Sequence, residues 1–541
     1  MRRFHYGMLV LIGGLIAGAM VWIQPLSASM DSDYYYALGR QIVQGRGDEQ
    51  PFIWNYLADP PGVPMPSFDY WMPLPAFVAA LGMGITGVQV LWAARLPFIV
   101  LHGVNVALVA YLIHQRTKQT FLAWLGGLSA SIPLFYASFI SLPESFAPLM
   151  TLGTLYFLTV FEGERVWAER LSPGRSIGVG GLCGLLHLAR ADGLLWLVAS
   201  FLLVGVSLRQ VLSENKHKLT DELRIAVING AGVGVGYGLV IAPWVLHNLS
   251  AFGTFLQPGS GRALWIREYN ELFFFPASEL TFARWLDQGW LAILRDRLWA
   301  LGQNLLSAIA VQGQIVLFPL ILLGFWKGRD RLETRFGIGM WGGLWLVFSI
   351  LFPFAGVRGG FFHSGAALQP FLWMLGWWGF WYWIEWGVEK RGWDRKISQR
   401  VLGVGLLLIL LMASTGIYIR RVSGVSGSPP TWKMTQETYL AVHQKLLELG
   451  YDPESSLGAV NNPPTFFVLT GRPSIVIPGG DISQLLAAVC RYRANYIVLE
   501  RDQENLAWLY AHPTEVEALV YLGTVHGVHL LQLRDAAATC R

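Results

Sequence analysis

The stretch Met30-Asp31-Ser32-Asp33-Tyr34-Tyr35-Tyr36 sets two carboxylates one residue apart, backed by three tyrosines, just after a long apolar run. A carboxylate at the edge of a membrane segment can take a proton from an attacking hydroxyl. The same residues also suit the start of a helix over Tyr34–Val43, where acids complement the helix dipole. Glu144, within Leu142-Pro143-Glu144-Ser145-Phe146, opens a later apolar run; it is a second candidate acid or an ordinary helix-start residue. Arg190 and Asp192 join two apolar runs, the first of them, at about 14 residues, short for a membrane span. Arg190 therefore lies below the membrane surface and needs an anion: Asp192 in a local turn pair, a loop carboxylate or a phosphate. Val357-Arg358-Gly359-Gly360-Phe361-Phe362-His363-Ser364 combines charge-assisted donors with glycines that let the backbone approach closely. It reads as a phosphate-binding edge or as a pair of interfacial anchors. A further segment carries Trp265 and Tyr269 and leads into Thr281–Leu298, with Phe282, Trp285, Leu286, Trp290, Ile293 and Leu294 on one stripe. That stripe predicts an amphipathic helix in the headgroup plane, either a lid over a lipid substrate or a structural element.

The elements that must position these residues are set by composition. Of 541 residues, 53% are hydrophobic and 14% charged, against roughly 25% charged in soluble domains. Mean hydropathy is +0.43. Intrinsic disorder, a disulfide-stapled module and a soluble multidomain enzyme are excluded, and nothing points to nucleic acid. The expected fold class is an α-helical polytopic membrane protein followed by a small C-terminal α/β domain. The runs Gly7–Ile23, Val90–Ile113, Phe121–Phe139, Phe146–Phe161, Ser176–Ala189, Gly193–Leu208, Ile225–Leu246, Leu305–Trp326, Phe336–Phe354, Ala366–Ile384 and Val401–Ile419 make about eleven spans. Trp71–Ile85 is shorter and proline-headed, as for an interfacial or re-entrant helix.

Charge sets the orientation. Alternate connections carry Arg2/Arg3, Arg116/Lys118, Arg165/Arg170/Arg175, Arg209/Lys216/Lys218/Arg224, Lys327/Arg329/Arg331/Arg335 and Lys390/Arg391/Arg395/Lys396/Arg400. The opposite set is sparse, with Arg40, Arg46 and Arg358. By the positive-inside rule the N-terminus is cytoplasmic, and an odd number of spans puts the C-terminal segment outside. Arg2/Arg3, the apolar core and Ser27-Ala28-Ser29 also fit a cleavable signal peptide, whose removal leaves later spans unchanged. Residues 1–419 form the membrane domain, with outer loops over about 24–87 and 247–304, and 420–541 form the outer domain. In the latter, Thr435–Leu449 and Ile482–Arg491 read as helices, and Leu457–Asn461, Pro473–Ile477, Tyr496–Leu499, Leu519–Gly523 and Val528–Leu533 as strands. The alternation implies a mostly parallel layer, without a Gly-x-Gly-x-x-Gly turn for a nucleotide. Cys490 and Cys540 could pair in an oxidising compartment, while Cys183 sits inside a span.

Together these residues resemble the membrane-embedded glycosyltransferases of the GT-C fold class. The likeness is to glycosyltransferase family 39 and the related polyprenyl-phosphate-mannose-type protein mannosyltransferases and aminoarabinose transferases. Asp31-Ser32-Asp33-Tyr34-Tyr35 is similar to that family's acidic loop, and Leu38-Gly39-Arg40 through Gly45-Arg46-Gly47 to the helix and glycine end of the loop. Arg190-Ala191-Asp192-Gly193, Arg358 with His363-Ser364, and Asn461-Asn462-Pro463-Pro464 through Gly471-Arg472-Pro473 also look like family motifs. The resemblance implies inverting transfer of a sugar from a polyprenyl-phosphate carrier to an acceptor hydroxyl on the extracytoplasmic side of a cell membrane. It implies a first-loop aspartate as general base, matched by Asp31 with Asp33 second, and Glu144 assisting the acceptor or a divalent cation. Arg190, Arg358, His363 and Ser364 would hold the departing phosphate, and Tyr34, Trp265 and Tyr269 would line the substrate loops. The acceptor, whether lipid, glycan or protein, stays open. Ser32 stands where relatives carry Glu, and Trp71-Met72 replaces a His-Pro pair, so neither metal binding at Ser32 nor the role of that His carries over.

The competing reading is a transporter or flippase of a lipid-linked or amphipathic substrate, which usually keeps its polar residues on broken helices near the midplane. A non-catalytic assembly or receptor protein is a third. Here the polar groups gather at loop edges of one side.

Overall fold

Without water partners, the backbone of an apolar run satisfies itself as helix, and each expected span meets one in the computed structural model. The structure describes residues 1–540 apart from 28, 163–164, 215–218, 425–428 and 502. Ala28 of the signal-peptide reading, and Lys216 and Lys218 of the basic set, fall outside the described residues. The chain runs through α1 (Arg3–Ile23), α2 (Met30–Val43), α3 (Leu74–Thr86), α4 (Leu91–Thr117), α5 (Thr120–Ala130), α6 (Phe146–Val160), α7 (Pro173–Ala189), α8 (Leu194–Glu214) and α9 (Leu219–Phe252). It continues through α10 (Phe282–Asp287), α11 (Trp290–Ser307), α12 (Phe318–Gly328), α13 (Leu332–Leu346), the short α14 (Pro353–Ala355) and α15 (Phe361–Gly365), α16 (Gln369–Arg391) and α17 (Arg395–Val422). Among the described residues, six helices are long and apolar enough to cross a membrane, and α3, α5, α6 and α12 are shorter apolar helices. The central α16 buries Trp373, Trp377 and Trp378. It lies so close to α12 that a Cβ on Gly379 would collide with the Leu320 carbonyl.

Four expectations need adjusting. The run Phe121–Phe139 is helical only to Ala130, because Pro133 and a 3-10 turn at Leu134–Tyr136 follow. Leu305–Trp326 is broken after a wide turn at Ala308–Gln312, where Gln314 and Ile315 take positive φ of 48° and 55°. Thr281–Leu298 is not one helix: Gly289 at φ 87° ends α10 and starts α11, and Thr281 caps α10 by accepting from Arg284 N at 3.2 Å. The first-loop helix starts at Met30 instead of Tyr34, which brings both aspartates inside its first turn.

The C-terminal segment folds as the small α/β layer, built from α18 (Thr431–Glu448), α19 (Pro463–Thr470) and α20 (Ile482–Tyr492) on a sheet. Strands β1 (Glu49–Gln50), β2 (Phe52–Ile53) and β3 (Met65–Pro66) come from the first loop, and β4 (Phe161–Glu162) with β5 (Arg165–Val166) forms a small hairpin elsewhere. The outer strands are β6 (Gly458–Val460), β7 (Ser474–Val476), β8 (Tyr496–Leu499), β9 (Leu519–Val525) and β10 (Val528–Leu533). Sheet order is β2-β7-β6-β8-β10-β9, parallel from β2 to β8 and antiparallel at β10 and β9. The first loop thus supplies an edge strand, with Ile53 beside Ile475. Tyr492 adds a bond to the Pro60 carbonyl at 3.0 Å. Gly479 N donates to Phe273 O of the second loop at 3.0 Å. The three long segments that charge alone assigned to one side are packed on one another. Cys490 and Cys540 form a disulfide.

Candidate active site

Each charged residue of the site sits where a helix starts, ends or bends. Asp31 is in the first turn of α2, Glu144 just before α6, Arg190 at the C-cap of α7, and His363 in α15 after the kink at Gly359, whose φ is 130°. Only glycine takes that backbone angle at low cost. The kink turns the chain so that His363 Nε2 lies 3.9 Å from Asp31 Oδ2.

Ser29, the N-cap position of α2, makes no capping bond to its own helix; its hydroxyl donates to Glu144 Oε1 at 3.1 Å. Ser145 Oγ lies 3.2 Å from His363 Nδ1, and the Phe146 ring stacks on the imidazole at 4.2 Å. Asp31, Glu144 and His363 each bring a ligand atom within 4.8 Å of the others. Glu144 is buried, and its Oε2 has no hydrogen-bond partner among the described residues.

Removal from water governs the electrostatics. Burial raises the Asp31 carboxyl to about 6 against the pull of Arg190. Burial, with Asp31 alongside, pushes Glu144 well above the usual carboxylate range. Burial next to Arg190 holds His363 well below its ordinary value, so the ring is neutral. Arg190 donates from Nε to Asp192 Oδ1 at 2.9 Å, and its charge also reaches Asp31, Glu144, Tyr35, Tyr70 and His363. The local pair with Asp192 is therefore formed, and the same guanidinium charge is felt by the loop carboxylates. Arg358 lies over the Tyr269 ring at 4.5 Å, and Tyr269 senses both Arg358 and Asp31.

Asp31, Glu144, Arg190 and His363 therefore come together, with Tyr269 and Arg358 at the margin. Other sequence candidates face elsewhere. Asp33 is two residues from Asp31, about 200° around the helix, and accepts from Ser27 and from Thr465 of α19. Burial raises its carboxyl to about 6 against those two bonds. Tyr34 is fully buried in the aromatic packing of the first loop, 4.8 Å from Trp71. Ser364 is buried and donates to Gly360 O at 2.8 Å. Trp265 packs on Phe282 at 5.1 Å and on Trp285.

Ser29, Ser145 and Tyr70 belong to the cluster without having been singled out in the sequence, and so does Tyr35, quoted there only as part of the acidic stretch. Tyr35 carried a usable signal: four residues after Asp31, it lies on the same face of a helix. Ser29 and Ser145 carried none beyond adjacency.

An Asp, a Glu and a neutral imidazole around one point can hold a divalent cation or share a proton, and the Arg beside them can hold an anionic group. Neither a protein-family model nor a curated protein matches the chain. Solved structures are similar along nearly its whole length. ArnT from Cupriavidus metallidurans, in the apo state, aligns at 12% identity with a TM-score of 0.54, covering 96% of this chain and 97% of that one. The Archaeoglobus fulgidus oligosaccharyltransferase in the apo form aligns at 13% identity and 0.53, covering 94% and 71%. The same organism's oligosaccharyltransferase AglB, in complex with an inhibitory peptide and a dolichol-phosphate, aligns at 12% and 0.50, covering 94% and 71%. At these identities the likeness concerns the fold: the chain has the GT-C fold.

Proposed function

We propose that this GT-C chain is an inverting glycosyltransferase that moves a sugar from a polyprenyl-phosphate donor to an acceptor hydroxyl on the extracytoplasmic face of the membrane. The observation that carries the reading is the meeting of Asp31, Glu144, Arg190 and His363, drawn from four separate segments, at one end of the helices. Charged groups beside a membrane are costly and persist where they act. The binding of a dolichol-phosphate by AglB, a protein of the same fold, supports a lipid-phosphate donor.

In this mechanism Asp31 accepts the acceptor's proton as the hydroxyl oxygen bonds to the sugar's anomeric carbon. The bond from that carbon to the phosphate oxygen breaks, and its electron pair leaves with the polyprenyl phosphate. A base whose pKa is raised toward the working pH is suited to that step. Arg190 and Arg358 offset the charge that develops on the leaving phosphate, and neutral His363 can donate from Nε2, the ring nitrogen on the Asp31 side. Ser364 orients the turn after Gly360, and Tyr269, beneath Arg358, borders the entry of the lipid. Asp31, Glu144 and His363 also suit a divalent cation: two oxygens and one nitrogen converge, and Glu144 Oε2 is unpartnered among the described residues. When bound, a cation would neutralise the paired carboxylates and add positive charge beside the phosphate.

The outer position of the site is supported by the basic residues of the opposite connections and by the Cys490–Cys540 disulfide, which suits an oxidising compartment. A cysteine at exposed Glu517 (Glu517→Cys) should label with a membrane-impermeant maleimide on intact cells; protection until lysis would reverse the orientation. The direct test is purified protein incubated with a panel of polyprenyl-phosphate sugars and candidate acceptors. Release of free polyprenyl phosphate with glycosylated acceptor is expected. Vectorial movement of intact donor without bond cleavage would replace the reading with a flippase.

A further inference from the structure

The geometry points to Thr465 and Asp33 as positioning residues through which the outer domain sets the placement of Asp31, an inference that rests on the proposed transfer reaction. Asp31 and Asp33 lie on opposite faces of α2 because two residues turn a helix by about 200°. One face carries Asp31 to Glu144 and His363, the other meets the outer domain. There Asp33, 3% exposed, accepts from Thr465 Oγ1 at 2.6 Å through one oxygen and from Ser27 Oγ through the other. Arg95, fully buried on α4, supplies the countercharge to Asp33 while its Nη1 donates to Gln24 O at 2.7 Å.

Thr465 is itself firmly held. It stands in the first turn of α19, where the Asn462 side chain caps its backbone N–H at 3.3 Å. The helix ends at Gly471 with φ 72°. The next residue, Arg472, is fully buried and grips His443 Nδ1, Asp452 O and Tyr451 O at 3.0, 3.1 and 2.9 Å. From Arg472 the chain passes into β7 and the sheet. The Thr465 bond therefore ties the helix bearing Asp31 to the α/β layer, while the Ser27 bond holds the other oxygen of the same carboxylate from the preceding linker. A carboxylate must sit within hydrogen-bond reach of the proton it takes, so movement of α2 reaches the chemistry without touching substrate binding.

The test compares Thr465→Val, which keeps the shape and loses the donor, with Thr465→Ser, which keeps the donor. Two readouts are taken: sugar transfer from a polyprenyl-phosphate sugar, and amide hydrogen exchange over residues 30–36. Thr465→Val should lower kcat about 10- to 100-fold, the cost expected of a displaced reacting group, with the donor KM changed by less than about twofold. It should also speed exchange over 30–36 by about tenfold or more. Thr465→Ser should restore both. Wild-type kcat and exchange in Thr465→Val would overturn the inference, as would a parallel change in KM that Ser does not correct. Should Thr465→Val fail to fold, Thr465→Ala removes the same donor on a smaller side chain and carries the same expectations. If the wild type transfers no sugar, the catalytic reading fails, and exchange alone decides whether Thr465 holds α2.

Discussion

At the end of the helices expected to face the cytoplasm, charged residues bond to near neighbours in the chain and stay wet. Arg395 pairs with Glu385 at 2.6 Å with 57% of its side chain exposed, Arg329 donates to Trp326 O at 2.8 Å, and Arg335 donates to Arg329 O at 2.7 Å. At the opposite end, Ser29 reaches Glu144 across 115 residues and Ser145 reaches His363 across 218, in partly buried surroundings. Among the described residues the inner end also has a long-range pair, Arg116 with Glu333, and there opposite charges answer each other. The outer end instead crowds two carboxylates together and leaves Glu144 Oε2 without a partner. Charge that anchors a helix is local and cheap; charge gathered from afar and left incompletely matched is characteristic of a site.

Substitutions at the two ends should therefore separate sharply. Asp31→Asn should lower sugar transfer by about 10²–10⁴-fold, the usual worth of a general base, with the protein still in the membrane. Retained turnover would collapse the distinction. Arg190→Gln and Arg358→Gln should each reduce kcat/KM for the polyprenyl-phosphate donor by about 10- to 100-fold, as expected for a lost charge-assisted hydrogen bond. Unchanged donor kinetics would return both residues to the status of anchors.

A smaller effect is expected at Asp69, a buried first-loop residue, whose carboxyl is pushed up to about 7 by burial, which outweighs its own backbone N–H and Gln50. An unfolded aspartate titrates near about 3.9, so folding retains a proton between those values. The stability tied to that proton is full below about pH 4 and falls as pH rises toward 7. Asp69→Asn should flatten this slope and raise the thermal midpoint at pH 8 by a few degrees; an unchanged slope would contradict it. Least of all, Arg395→Ala should cost less than about 1 kcal/mol, as for an exposed pair, and leave transfer within about twofold of wild type. A large loss of transfer there would blur the contrast between the ends.

How much of this was legible depended on whether the signal was local. Asp31, Glu144, Arg190 and His363 stood out because a polar group at the edge of an apolar run is conspicuous in any sequence. The role of Asp33 did not, since its direction depends on where α2 begins. A start at Tyr34 leaves both acids in a loop, whereas the start at Met30 turns them apart. Gly289 was visible as a glycine, but the apolar stripe on either side of it read as one helix. The edge strand Phe52–Ile53 is two residues long, too short for alternation to register. α19 was hidden because Pro463-Pro464 suggests a loop, although proline is at ease in a first helical turn. The partners that Ser29 and Ser145 find are tertiary, and no spacing rule reaches them.

The central claim is that remote acids and cations form one cluster that grips a lipid-carried phosphate. Photo-crosslinking with a diazirine-bearing polyprenyl phosphate, followed by peptide mapping, tests it most directly. Adducts should fall on the segments around Arg190, Tyr269 and Arg358, and excess unlabelled polyprenyl phosphate should compete them away. Adducts confined to the inner arginines, or indifferent to competitor, would contradict the account.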